Sequence, residues 1–334
     1  MTWGAAILDA DGLRLSAAES RFFREADPFG FILFARNMDT PDQVRALCAD
    51  MREAVGRDAP ILIDQEGGRV QRIWQPHVRN WSPPLDFVEA AGDEAERAMY
   101  LRYRLIAAEL RGLGVDVNCA PTCDLALPQT HAFLRNRCYG DDPAQVATLA
   151  RAVANGLLDG GVLPIMKHMP GHGRAHLDTH FELPRVAADL DELDQTDFAV
   201  FRALNDLPMG MTGHVVFSAL EERAATVSVE AIRTIRDRIG FGGLLMTDDI
   251  SMEALKGTPA VRTRAAIEAG VDVALFCNAP LAERQAVAEA AEQLSDAAQA
   301  RAEAALALRV TPEPLDEEAV EDELAALTGS RAYD

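Results

Sequence analysis

Positive charge is scarce in this chain. Lysine and arginine together number 32 against 53 acidic residues, a net charge of -21. Such a surface repels phosphate backbones and anionic lipid, so neither nucleic acid nor a membrane is an expected partner. No apolar run approaches the ~20 residues of a membrane span. Met1 to Ala10 lack a basic segment and reach Asp9 before any long apolar stretch, so a secretory signal is not expected. The five cysteines, at positions 48, 119, 123, 138 and 277, are odd in number and never spaced Cys-x-x-Cys. Free, mostly buried thiols in a reducing cytoplasm are the simplest expectation. The His-Glu-x-x-His pattern of helical zinc sites is missing as well.

What the chain does have is a histidine cluster: four of its seven histidines lie between His168 and His180. Positions 168, 172, 176 and 180 would share one face of a helix and could then hold a metal. Pro170, Gly171 and Gly173 forbid that helix, so the segment reads as a loop, no metal is expected, and an incidental surface loop is the bland alternative. Within it, Asp178 and His180 point the same way from an extended backbone, and a carboxylate so placed orients an imidazole and stabilises its charged form. The glycines and polar residues from Gly171 to Asp178 offer few apolar contacts, so that stretch is expected to be mobile.

Short apolar runs alternate with amphipathic segments along the chain. Strands are predicted near Ala5 to Leu8, Gly30 to Phe34, Ile61 to Asp64, Val115 to Ala120, Leu163 to His168, Met209 to His214, Leu244 to Asp248 and Val273 to Cys277. Helices are predicted between them, over Pro41 to Val55, Asp93 to Leu113, Pro143 to Asp159, Asp191 to Asn205, Val229 to Ile239 and Pro259 to Ala269. Eight such units favour a single-domain (β/α)8 barrel of the TIM type over an open doubly wound sheet. The barrel should occupy about residues 5–280. Beyond it, extra C-terminal helices and a solvated acidic end are expected over about 281–334, where Val310 to Asp334 carry eight acids against the single Arg331. Polar residues follow the apolar runs directly: Asp64-Gln65-Glu66, Asn118, Asp124, Lys167-His168, Thr212-Gly213-His214 and Asp248-Asp249. In a (β/α) barrel these strand ends converge on one pocket, although each alone reads equally as a cap or turn.

Three segments carry chemistry: Asp64-Gln65-Glu66-Gly67-Gly68-Arg69-Val70-Gln71-Arg72, Lys167 to Gly173 with Asp178-Thr179-His180, and Thr247-Asp248-Asp249-Ile250-Ser251-Met252. A carboxylate at the barrel mouth, a His-Asp pair and arginines beside a Gly-Gly turn suit cleavage of a sugar, where one group attacks or stabilises the anomeric carbon and another protonates the leaving oxygen. In these motifs, taken in order over about residues 5–280, the sequence resembles the family 3 glycoside hydrolases, and among them the single-domain bacterial β-N-acetylglucosaminidases.

The resemblance implies a (β/α)8 barrel, no cofactor, and retaining hydrolysis through a covalent glycosyl-enzyme. It implies that Asp248 is the nucleophile, His180 the acid/base and Asp178 its dyad partner, and that Asp64, Arg72, Arg137, Lys167 and His168 bind the sugar. The residue-level alternatives stay open: Asp64 with Arg72 as a salt bridge, and Lys167 paired with any nearby acid. Asp249 should point elsewhere and serve structure, because successive strand residues alternate. His172 is expected to shape the loop, and His176 has no assigned role. Met169, Cys138 and Thr179 depart from an aromatic and two serines in the common pattern without removing a functional group from this chemistry. The implied substrate is a small carbohydrate, a peptidoglycan fragment ending in GlcNAc, acted on by a cytoplasmic monomer. Two rivals remain: a phosphorylase on the same fold, since a histidine acid/base presents no fixed carboxylate to repel phosphate, and a sugar-binding protein without catalysis.

Overall fold

The computed structural model describes residues 2–175 and 183–329. Eight parallel strands form the core: β1 (Gly4–Leu8), β2 (Pro28–Leu33), β3 (Ile61–Ile63), β4 (Val117–Asn118), β5 (Leu163–Met169), β6 (Met209–Thr212), β7 (Leu244–Met246) and β8 (Ala274–Phe276). Each pairs with its sequence neighbours, β8 pairs with β1, and a parallel bridge between Met246 and Val273 closes the ring from β7 toward β8. All their residues are buried. That explains the near-continuous apolar runs, because helices cover the outer face and side chains fill the interior. The predicted eight-strand barrel is the observed architecture.

Helix ends follow the sequence closely. Around the barrel lie α1 (Ala17–Ala26), α2 (Pro41–Val55), α3 (Pro84–Ala91), α4 (Ala95–Gly112), α5 (Ala132–Arg135), α6 (Pro143–Asp159), α7 (Leu190–Gln195), α8 (Asp197–Ala203), α9 (Val229–Arg233) and α10 (Pro259–Ala269). Thr40, Asp142 and Thr258 cap α2, α6 and α10 with their side-chain oxygens, and each is followed by proline in the first helical turn. Proline there lacks only an amide that would find no partner, and its fixed φ suits the helix.

Two predicted helices are broken. The segment expected over 191–205 divides into α7 and α8 at Thr196, whose hydroxyl donates to the Glu192 carbonyl at 2.7 Å. The Thr196 oxygen also accepts from Arg174, and Asp197 takes the Arg174 Nε at 2.6 Å. The break therefore anchors the start of the histidine loop. The segment over 229–239 begins as α9 and widens into a π turn over Thr234–Arg238.

At the C-terminus α11 (Leu281–Ala291), α12 (Asp296–Leu306) and α13 (Glu317–Thr328) follow. The acidic end is not simply solvated. Leu324 of α13 is 1 % exposed, and α13 packs on α3 and α4. Its acids are held by arginines: Arg79 pairs with Glu317 and Glu321, and Arg97 with Glu323. Acids that read as a solvated run thus sit on an amphipathic helix facing basic residues about 240 positions earlier in sequence.

Candidate active site

The carboxyl ends of the strands surround a cavity of about 400 Å³, within the range of small-ligand sites. Asp64 follows β3 directly. Beyond it Gln65–Gly67 and Val70–Gln71 form a small antiparallel ribbon, and Gly67 turns it with φ 103°. A Cβ at Gly67 would lie 2.0 Å from the Arg102 Nη2, so only glycine fits. The ribbon returns Arg72 to Asp64, and Arg72 donates to its Oδ2 at 2.8 Å.

Lys167, from the end of β5, is 1 % exposed. Its ammonium lies 3.0 Å from Asp64 and 2.5 Å from Glu66. Arg137 grips both oxygens of Glu66, Nε at 2.9 Å and Nη2 at 2.8 Å. Burial alone would raise the pKa of Asp64 and Glu66, but the facing cations outweigh it and hold both carboxylates below their usual range. The same carboxylates keep Lys167 and Arg137 charged against the opposing effect of burial. Of the alternatives posed for Asp64, Arg72 and Lys167, the salt bridges are present, and they fix these side chains at the cavity wall.

Asp124 fixes the histidines. Its Oδ2 is 2.7 Å from His168 Nδ1, and its Oδ1 accepts from the His172 amide at 2.6 Å. A carboxylate only accepts, so His168 donates from Nδ1 and turns Nε2 toward Arg137 Nη2, 3.5 Å away. His172 lines the cavity, and its Nδ1 has no partner among the described residues. Burial, then the nearby His168, pushes its pKa down to about 4, so the ring is neutral at physiological pH.

Asp248 stands just past β7, and its Oδ1 accepts from the Asp249 amide at 2.8 Å. Burial raises its pKa, yet His168, His214, that amide and Lys167 together bring it below the usual carboxylate value. An ionised carboxylate at a barrel mouth, with no ion pair to a cation among the described residues, is chemically available as a nucleophile. Asp249 also lines the cavity. Its Oδ2 accepts from Ser251 Oγ at 2.7 Å and Cys277 Sγ at 2.9 Å and its Oδ1 from the Ser251 amide at 2.9 Å, which gives it a structural task. His214 Nε2 donates to the Asp249 carbonyl at 2.9 Å and fixes this turn.

The structure brings together Asp64, Arg72, Arg137, Lys167, His168 and Asp248 around one cavity. Asp178 and His180 lie outside the described residues. The first part of the loop is anchored: Thr130 Oγ1 donates to the Gly173 carbonyl at 2.5 Å, and the Ala175 carbonyl accepts from the His131 amide at 3.2 Å. Gly173 is there for close approach, since a Cβ would meet the Leu125 carbonyl at 2.3 Å. The sequence places Glu66, Asp124 and His214 among the polar strand ends but assigns them no role. Among the described residues no group of three metal-ligating side chains stands together, and all five cysteines are free and buried.

The chain matches the glycosyl hydrolase family 3 N terminal domain over residues 13–311. It is 37% identical over 279 residues to a β-hexosaminidase from Methylococcus capsulatus, covering 82% of this chain and 83% of that protein. NagZ from Neisseria gonorrhoeae, solved in complex with N-trifluoroacetyl-D-glucosamine, superposes with a TM-score of 0.84 at 28% identity over 99% of this chain and 98% of that one. A family 3 β-N-acetylglucosaminidase from Paenibacillus sp. str. FPU-7 gives a TM-score of 0.82 at 30% identity, over 97% of this chain and 66% of the other. Barrel, carboxylate-lined mouth and these likenesses define a hydrolase of glycosidic bonds. The chain belongs to glycoside hydrolase family 3.

Proposed function

We propose that the protein is a retaining exo-β-N-acetylglucosaminidase. It removes terminal GlcNAc from peptidoglycan fragments, GlcNAc-1,6-anhydroMurNAc with or without its peptide, in the cytoplasm, where it serves the recycling of wall material. The observation that carries the reading is Asp248: an ionised carboxylate with no ion-pair partner among the described residues, on a cavity lined also by Asp64, Arg72, Arg137, Lys167 and His168. The β-hexosaminidase relatives and the amino-sugar complex of NagZ support N-acetylglucosamine as the sugar. No helix among the described residues is long and apolar enough to cross a membrane.

In this reading Asp64, Arg72, Lys167, His168 and Arg137 hold the ring hydroxyls. Asp248 attacks the anomeric carbon while His180 gives its proton to the departing oxygen. The β-linked sugar becomes an α-linked glycosyl-enzyme. His180 then takes a proton from water, which displaces Asp248 and restores the β configuration. Asp178 holds the imidazole in the tautomer that both steps need.

The deciding experiment is incubation with GlcNAc-1,6-anhydroMurNAc, with and without inorganic phosphate, followed by mass analysis. Free GlcNAc under both conditions is the expected result. GlcNAc 1-phosphate in the phosphate sample would make the protein a phosphorylase, and intact disaccharide in both would make it a binding protein.

A further inference from the structure

The cations inside the cavity are already neutralised: Arg72 and Lys167 by Asp64, and Arg137 by Glu66. Arg69, at the tip of the Gly-Gly ribbon, is not. It is exposed, and no carboxylate among the described residues lies within ion-pair distance of it. Its guanidinium carbon stands 4.1 Å from the centre of the Phe133 ring. Stacked there, the planar group is held in place while its N–H edges stay free to donate.

The surroundings make this a place for a ligand. Phe133 lines the cavity, as do Val70, the residue after Arg69, and His131, which opens α5. His131 Nδ1 accepts from the Phe133 amide at 3.2 Å. In the neutral ring the proton then sits on Nε2, which becomes a donor. One edge of the mouth thus offers a fixed cation, an N–H donor and an aromatic face. Among the described acids of the cavity lining, Asp64 is paired with Arg72 and Lys167, while Asp248, Asp249 and Glu253 follow β7, which stands opposite β3 in an eight-strand ring. On a chain of net charge -21, a guanidinium beside the cavity with no ion-pair partner among the described residues is where an anionic group gains most.

We propose that Arg69, with Phe133 and His131, forms a subsite for a carboxylate carried by the leaving group, so that the enzyme favours anionic over neutral aglycone sugars. This deepens the glycosidase reading and rests on it. The probes are GlcNAc-β-1,4-MurNAc, whose aglycone bears a lactyl carboxylate, and chitobiose, whose aglycone is neutral. Arg69→Gln should lower the ratio of kcat/KM for the anionic over the neutral disaccharide by about tenfold, the scale of one hydrogen bond to a charged group. Arg69→Lys should keep part of it. Wild-type preference should shrink as salt is raised from about 0.05 to 0.5 M, because screening tightens. Calorimetric binding of both disaccharides to wild type and Arg69→Gln gives a second readout that needs no turnover. Absence of any turnover would end the glycosidase reading, while the binding ratio would still decide on Arg69. A ratio unchanged in binding and in turnover, or equal losses on both sugars, would overturn the subsite.

Discussion

Mild acid should weaken the fold through His172. In the folded protein this imidazole is 7 % exposed and titrates at about 4, whereas in the unfolded chain it titrates near its usual value of about 6.5. A base with a depressed folded pKa leaves the unfolded state binding more protons between the two values, so stability rises with pH across that window. Its contribution is complete above about 6.5 and is lost as pH falls toward 4. The difference of about 2.5, at 1.36 kcal/mol each, comes to about 3 kcal/mol. Urea denaturation followed by tryptophan fluorescence at pH 7, 6, 5 and 4.5 would measure it. His172→Leu should flatten the curve, because an apolar side chain of similar size has no proton to gain and Nδ1 has no partner to lose among the described residues. Asp9, Glu109, Asp197 and Asp249, whose pKa values burial raises, act in the opposite direction but are common to both proteins and cancel in the comparison. Equal slopes for wild type and His172→Leu would refute the reasoning.

Glu66→Gln should cost about 3 kcal/mol, since it leaves Lys167 and Arg137 buried with Asp64 as their remaining carboxylate; a urea midpoint that does not move would remove the charge array from the account. Gly173→Ala should lower the melting temperature and turnover together, because its Cβ would push on the Leu125 carbonyl and displace the start of the histidine loop; an unaffected enzyme would show that the loop start does not position the site. His180→Ala should lose a factor of about 10² to 10⁴ on a natural disaccharide. On an aryl glycoside with a good leaving group, azide should restore its turnover and yield a β-glycosyl azide, with Asp178→Asn a milder version; an α-azide, or wild-type rates without azide, would return that loop to a structural role.

Most of the barrel was legible because its strands are buried on both faces and read as apolar runs closed by polar residues. The capped helices were legible for a similarly local reason, as Thr40-Pro41 and Thr258-Pro259 mark their own starts. The helix α1 went unpredicted although Ser16 and Glu19 form a capping box visible in the sequence. The break at Thr196 could not be read, because its cause is Arg174 from another element. The site divides in the same way. Asp64, Lys167 and Asp248 announce themselves at strand ends. Glu66 and Asp124 do so too, but their tasks depend on partners 71 and 44 positions away. The loop glycines misled for a physical reason: glycine marks close packing as readily as looseness, and at Gly173 packing is what demands it.

The central claim is that Asp248 forms a covalent bond to the sugar, and mechanism-based trapping tests it most directly. A fluorinated activated GlcNAc analogue, with slowed glycosyl-enzyme breakdown, should inactivate the enzyme with a stoichiometry of one. Peptide mass spectrometry should then place the adduct on Asp248, and Asp248→Ala should lose nearly all turnover while remaining folded. An adduct on Asp64, Glu66 or Asp249, or full activity in Asp248→Ala, would contradict the account.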